Sequence, residues 1–196
     1  MARGSKQRPM TGAAPQRREE PAVPAPWSAR ARWAARAVVA AAAAATFARG
    51  VPNPLVATWD DGRFLVEFEP VRSISLEHLR AIWTEVHFQA WHPLHLLAYW
   101  IDVPWAGPNG PVLHAVNLAL WVLALCLVLR VFERLGLGVA PAVIAVLLYG
   151  LHPVQVEAVT WATGRKEILA LTFACLAWLT HLDGDRYPSA QARKQA

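Results

Sequence analysis

The chain has 196 residues, 55% of them hydrophobic and only 17% charged, against about 25% charged in an ordinary soluble domain. The apolar residues lie in runs too long for a soluble core, which argues for an integral membrane protein and against a soluble enzyme. The net charge of +5 is concentrated in the first part of the chain, and no nucleic-acid-binding motif accompanies it, so nucleic acid is not expected as a partner.

Residues 1–30 carry five prolines among Arg, Ala and Gln. They have little to bury and are expected to form a disordered, basic cytoplasmic tail. The first apolar run, Ala37 to Ala48, predicts a helix near 33–49. A cleaved signal or an amphipathic surface helix are its alternatives, because alanine is a strong helix former but only weakly hydrophobic. Residues 50–111 form a mixed outer loop. In it Ser75 can cap a helix through Leu79, Ile82, Trp83 and Val86, and Leu94 to Ile101 is an apolar stretch too short to span. Val112 to Leu129 is the clearest spanning run, within a helix near 112–132. Gly136 and Gly138 then break the chain before further helices near 137–151 and 167–182, and residues 183–196 form a second polar tail.

The basic segments are the N-terminal tail, the Arg130–Arg134 link and the C-terminal tail. Four crossings place all three on the cytoplasmic side, with the acidic outer loop and the 152–167 loop opposite. Cys126 and Cys175 sit inside apolar runs and have neither disulfide-framework nor metal-ligand spacing.

Four constellations carry chemistry. Asp60-Asp61 precedes Gly62; such a pair can supply a general base or share a cation, or simply form a solvated Asp-Gly turn. His87, His92 and His95 invite a metal reading, but Pro93 interrupts the helix that would align them, and Trp91, Tyr99, Trp100 and Trp105 around them read as an interfacial aromatic belt. His152-Pro153-Val154-Gln155-Val156-Glu157 leads through Trp161 to Gly164-Arg165-Lys166-Glu167, where His152 and Glu157 can face a site at the membrane boundary. There Arg165 and Lys166 are cations on the side where they are disfavoured, able to hold a phosphate or a lipid headgroup. His114 and Asn117 are polar residues inside the predicted span, positions that usually serve helix–helix hydrogen bonding.

Taken together, these residues resemble the N-terminal membrane region of GT-C-type glycosyltransferases, closest to the TPR-linked TMTC class of protein O-mannosyltransferases and their bacterial relatives. The likeness runs from Asp60-Asp61 through His92-Pro93-Leu94, the Tyr99-to-Asp102 stretch and His114-to-Leu118. It is strongest in His152-to-Val159 followed by Trp161 and Gly164-to-Glu167. The resemblance implies sugar transfer from a polyprenyl-phosphate sugar to a hydroxyl acceptor on the extracytoplasmic face. Asp60 or Asp61 would be the catalytic base, Arg165 and Lys166 would bind the donor phosphate, and His92, His152 and Glu157 would be substrate-site residues. The chain departs from the family at Gln155, where a second histidine is usual, and no tetratricopeptide period is present. The family's membrane region also continues for several helices, so the resemblance implies a fragment completed by a second membrane subunit.

The expected fold is therefore all-α: a polytopic membrane domain over 31–182 with about four transmembrane helices and short interfacial helices. The expected location is a bacterial inner membrane with both termini cytoplasmic, in contact with membrane lipid and the polyprenyl-phosphate lipid. The expected function is that of a partial or split GT-C-type glycosyltransferase, with a divalent metal as an open possibility. The alternative is a non-catalytic binding or assembly module derived from that fold. A small transporter or channel subunit has only the helix count and two intramembrane polar residues behind it.

Overall fold

The computed structural model describes residues 26–184, and among these every regular element is helical. Helix α1 spans Ala29–Phe47, started by the Ser28 side chain accepting from the Ala31 N–H. Its buried residues are Ala35, Val39, Ala43 and Phe47, one every four positions, which is the spacing that places side chains along one helical face. The outer loop contributes three short helices: α2 (Leu76–Thr84), α3 (Pro93–Leu97) and α4 (Val103–Ala106). Ser75 caps α2 by accepting from the His78 N–H, and Val86 falls beyond its end. Helix α5 (Gly110–Arg134) has 25 residues, capped by Asn109 with Pro111 in its first turn. At 1.5 Å per residue it is about 37 Å long. It ends in a left-handed Gly136 at φ 83°, where the Leu137 N–H returns to the Phe132 carbonyl. Helices α6 (Val139–Gly150), α7 (Gln155–Thr160) and α8 (Arg165–Gly184) complete the chain.

Helix α5 is the axis of the bundle, packed against α1, α6, α7 and α8. Two cores divide the interior. One fills the bundle with Val39, Phe47, Trp121, Leu125, Val146 and Ile168. The other lies under the outer loop and is built on Phe64, Leu65, Ile82, Leu96, Tyr99 and Leu113. Away from these cores the helices present apolar side chains outward: Val38 on α1, Leu123 on α5, Ile144 and Leu148 on α6, Phe173 and Trp178 on α8.

Among the described residues α5 is the one helix both long and apolar enough to cross a membrane. Helix α8 opens with three charged residues, α1 carries arginines in its first half, and α6 has 12 residues, about 18 Å against a hydrocarbon core of about 30 Å. The four longest helices lie at 29–47, 110–134, 139–150 and 165–184.

The expected disorder of residues 1–30 falls partly outside the described residues, but for 26–30 it is overturned. Trp27 is buried and donates from its indole N–H to the Leu137 carbonyl at 2.8 Å, and Ala29 already starts α1. Burial of one indole against the α5–α6 link supplies what the surrounding polar sequence lacks. At the same end Glu133 accepts from Arg32 at 2.7 Å and from Arg130 at 2.6 Å, and Arg134 pairs with Asp183. The polar tail at 183–196 likewise begins inside α8, with its remainder outside the described residues.

Small residues let α1 approach its neighbours, so enlarging one of them should cost stability. Ala43→Leu is expected to lower stability by about 1–3 kcal/mol through overpacking, whereas Ala44→Leu, on the exposed face of the same helix, should be nearly neutral; thermal unfolding in one detergent compares the two.

Candidate functional site

Asp60 and Asp61 open a helical turn that continues as a π-helix over Gly62–Glu67, a rare geometry that recurs at functional sites. Gly62 is required there, because a Cβ on it would meet the Ala57 carbonyl oxygen at 2.0 Å. The two acids part company. Asp61 is fully buried. Its Oδ2 accepts from the Val56 N–H at 3.0 Å, and its Oδ1 accepts from the N–H and hydroxyl of Thr163, both at 3.2 Å. It thereby ties the outer loop to the segment entering α8. Asp60 is half-buried beside it.

The Arg165-Lys166 pair is also divided. Arg165 has no exposed surface. Its Nε donates to Asn117 Oδ1 at 2.8 Å, and its Nη1 donates to the Ala98 carbonyl at 2.9 Å and to Asp102 Oδ1 at 3.0 Å. Its Nη2 pairs with Asp102 Oδ2. The guanidinium also lies over the Tyr99 ring, 4.6 Å from its centroid. These bonds occupy the guanidinium from within, so the expected role of Arg165 at a donor phosphate is replaced by an internal one. Lys166, the next residue on the helix, is exposed.

Asn117 completes the node by donating to the Trp161 and Ala162 carbonyls at 2.9 and 3.2 Å. This is the inter-element bonding expected of a polar residue inside a span. Tyr99 donates to the same Ala162 carbonyl at 3.2 Å, so His95 donates from Nε2 to the Tyr99 oxygen at 2.7 Å. Burial, followed by the nearby His92, Lys166 and Arg165, lowers the His95 imidazole to about 3. Burial lowers His92 as well, and burial raises the Tyr99 phenol.

Three of the outer-loop histidines pack on one ring, His92 Nε2 and His95 Nδ1 remaining buried without a partner. The Phe64 ring lies 5.2 Å from His87, 5.2 Å from His92 and 5.6 Å from His95, and His87 Nε2 contacts the Arg63 carbonyl at 3.1 Å. Among the described residues no three His, Cys, Asp or Glu side chains gather as a metal-ligand set.

Three concavities meet around the start of α8. An apolar groove of about 350 Å³ is lined by Trp83, Trp91, His92, Leu94 and Phe173, with Lys166 as its one cation. A cavity of about 580 Å³ shares Lys166 and adds Gln155, Glu157, Trp161 and Glu167. A smaller one, about 240 Å³, shares Glu157 and Trp161 and reaches Trp59, Asp61 and His114. His152 stands apart from these linings, exposed, with Nδ1 accepting from the Val154 N–H at 3.2 Å. The structure thus brings Asp61, Glu157, Lys166 and His92 onto adjoining concavities. The partners of Arg165 went unmatched from sequence: Asp102 lies 63 positions away, and its place in the Tyr99-to-Asp102 stretch was the available signal.

Comparison with known proteins agrees with the resemblance read from the motifs. Over 98 residues the chain is 32% identical to protein O-mannosyl-transferase TMTC1 of Mus musculus and 31% identical to TMTC1 of Homo sapiens. Over 94 residues it is 32% identical to protein O-mannosyl-transferase Tmtc2 of Drosophila melanogaster. Each match covers 47% of this chain and 10 or 11% of the relative, so the chain matches about a tenth of the length of these curated relatives. No family model matches, and no solved structure matches.

Truncating Arg165 leaves Asp102 buried and unpaired. Arg165→Ala is expected to cost about 3–5 kcal/mol, while Arg165→Met combined with Asp102→Leu should recover most of the loss, read by thermal unfolding of the purified chain. Acidification tests His95. Its folded value lies below the unfolded 6.5, so between pH 6.5 and about 3 the unfolded chain binds a proton that the folded chain refuses. Stability should be full above 6.5 and fall as the pH drops, by at most about 1.4 kcal/mol per pH unit from this group. His95→Gln should flatten that part of the profile.

Proposed function

We propose that the chain is part of a membrane glycosyltransferase of the GT-C type, moving a sugar from a polyprenyl-phosphate donor to a hydroxyl acceptor on the extracytoplasmic face. The observation that carries the reading is that three concavities share lining residues, with an apolar groove at one end, Asp61 at the other and Lys166 between. Likeness to the protein O-mannosyl-transferases over about half the chain supports the same chemistry.

The outward apolar faces of α1, α5, α6 and α8 suit lipid, and four passes would place both termini and the Glu133 ion-pair cluster on the cytoplasmic side. The short α6 is accommodated by local thinning of the bilayer. A polyprenyl chain would lie in the groove against Trp83, Leu94 and Phe173. Its phosphate would sit on the groove side of Lys166, away from Glu157 and Glu167, because the groove lining carries no acid. The acceptor oxygen attacks the anomeric carbon as the carbon–oxygen bond to the phosphate breaks. The leaving phosphate keeps the electron pair, stabilised by the Lys166 ammonium. Asp60, half-buried beside the anchored Asp61, takes the hydroxyl proton. His92, in the groove with Lys166, and Glu157, at the junction of the two cavities, would line the donor's path; His152 has no part in it.

Sugar transfer by native membranes containing the protein tests the assignment. Asp60→Asn is expected to lower transfer by about 100-fold or more with unchanged thermal unfolding, whereas Asp61→Ala should also lower stability by unpairing three donors. Full transfer by Asp60→Asn and Asp61→Asn alike would leave the non-catalytic binding module as the reading.

A further inference from the structure

We infer that the arginine-lined cleft between α1 and α5 binds the headgroup of an anionic phospholipid. It lies at the end of the bundle away from the acidic pair. The inference rests on the chain lying in a membrane and is independent of sugar transfer.

Trp27, Arg32, Arg36, Leu129, Arg130 and Glu133 line the cleft. Glu133 is its one acid, and both carboxylate oxygens are taken, Oε1 by Arg32 and Oε2 by Arg130. One carboxylate thus faces three guanidiniums. Arg36 has no carboxylate partner among the described residues. Its guanidinium lies over the Trp33 ring, 5.4 Å from the centroid. Arg30 is exposed in the first turn of α1, and Arg134 pairs with Asp183, so the surrounding charges do not cancel the excess. A guanidinium carries five N–H donors, and Arg32 and Arg130 each give one to Glu133. Donors are left over as well as charge.

Arginines freely exposed to water need no counter-charge. These are placed differently. The Arg32 and Arg130 side chains keep 33% and 30% of their surface, and Arg36 is half-buried. Trp33, beside Arg36, is 69% exposed. Ala37 and Ala41 continue the same outward face of α1. Cations set between helices next to a lipid-facing strip attract an anion that belongs to the lipid itself.

The cleft's shape and chemistry narrow the class. Its volume is about 10 Å³, room for about one water, so it encloses no free small molecule. The ligand offers an anionic oxygen to the mouth and keeps its bulk outside. Guanidinium forks match phosphate oxygens. The Trp33–Ala37–Ala41 strip suits an acyl chain, which inorganic phosphate and nucleic acid lack. A zwitterionic headgroup brings an ammonium of its own, which Arg36 would repel.

The test is native mass spectrometry of the purified full chain in detergent, with thermal unfolding as a second reading. The probes are dioleoyl-phosphatidylglycerol, dioleoyl-phosphatidylcholine and inorganic phosphate. Phosphatidylglycerol is expected to be retained in preference to phosphatidylcholine and to raise the unfolding temperature. Arg36→Gln removes the unpaired guanidinium and leaves Glu133 both of its partners. It should weaken phosphatidylglycerol retention about 5-fold, the worth of one arginine beside anionic lipid. Arg49→Gln removes an exposed arginine just past the other end of α1 and should change nothing. Equal retention of the two lipids, equal losses in Arg36→Gln and Arg49→Gln, or the same stabilisation by inorganic phosphate would overturn the site. A chain that stays dispersed with neither detergent nor lipid would sink the membrane reading along with it.

Discussion

A guanidinium with no exposed surface must be answered by its surroundings, and Arg165 is answered from two other parts of the chain. Asp102 and the Ala98 carbonyl come from the outer loop, Asn117 comes from α5, and Arg165 itself is the first residue of α8. Burying a charge carries a desolvation cost of several kcal/mol, and only good geometry with full hydrogen bonding offsets it. The node is therefore cooperative: remove one partner and the other charges remain buried without an answer. What it fixes is position. The outer loop, which would otherwise be a long excursion held by modest apolar contacts, is pinned to the ends of two long helices. The Ala162 carbonyl, accepting from both Tyr99 and Asn117, is the hinge through which the loop and the bundle meet.

The same pinning sets the acidic pair. Thr163, two residues before Arg165, presents its N–H and hydroxyl to Asp61. Gly164 permits the tight passage, since a Cβ there would lie 2.6 Å from the Glu157 carbonyl oxygen. The chain thus passes from a ligated carboxylate to a buried ion pair within three residues. Lys166, fourth in that run, is the first side chain turned outward. Three buried positions followed by an exposed one make these four consecutive residues an anchor, a gap, a strut and a surface cation.

Much of this architecture is legible in the sequence. The places of the long helices are, because apolar runs mark them, and Ser75 caps the short α2 as its position predicts. The role of Asn117 is too, since a polar residue in a span must find a partner. Trp27 is not: a single indole in a proline-rich stretch carries no periodicity, and its partner is a carbonyl 110 positions away. The direction of Arg165 is hidden for a similar reason. Two adjacent cations read as one patch, and only the first turn of α8 decides that they point to opposite sides. The concavities themselves arise from contacts between distant segments, so residues such as Trp59, His114 and Glu157 meet only once the loop is docked.

The docked loop leaves unpartnered buried groups in two places, His92 and His95 by the apolar groove and His114 and Trp161 beneath Trp59. Other indole N–H groups are met by a carbonyl: Trp121 by Gly150, Trp100 by Pro70, Trp91 by Trp83. The chain solves this problem repeatedly with indole N–H groups and carbonyls. Trp161 departs from that habit on the wall that also carries His114. With Trp27 on the Leu137 carbonyl, four indoles donate within the chain, and Trp161 is left open on the wall that carries Asp61.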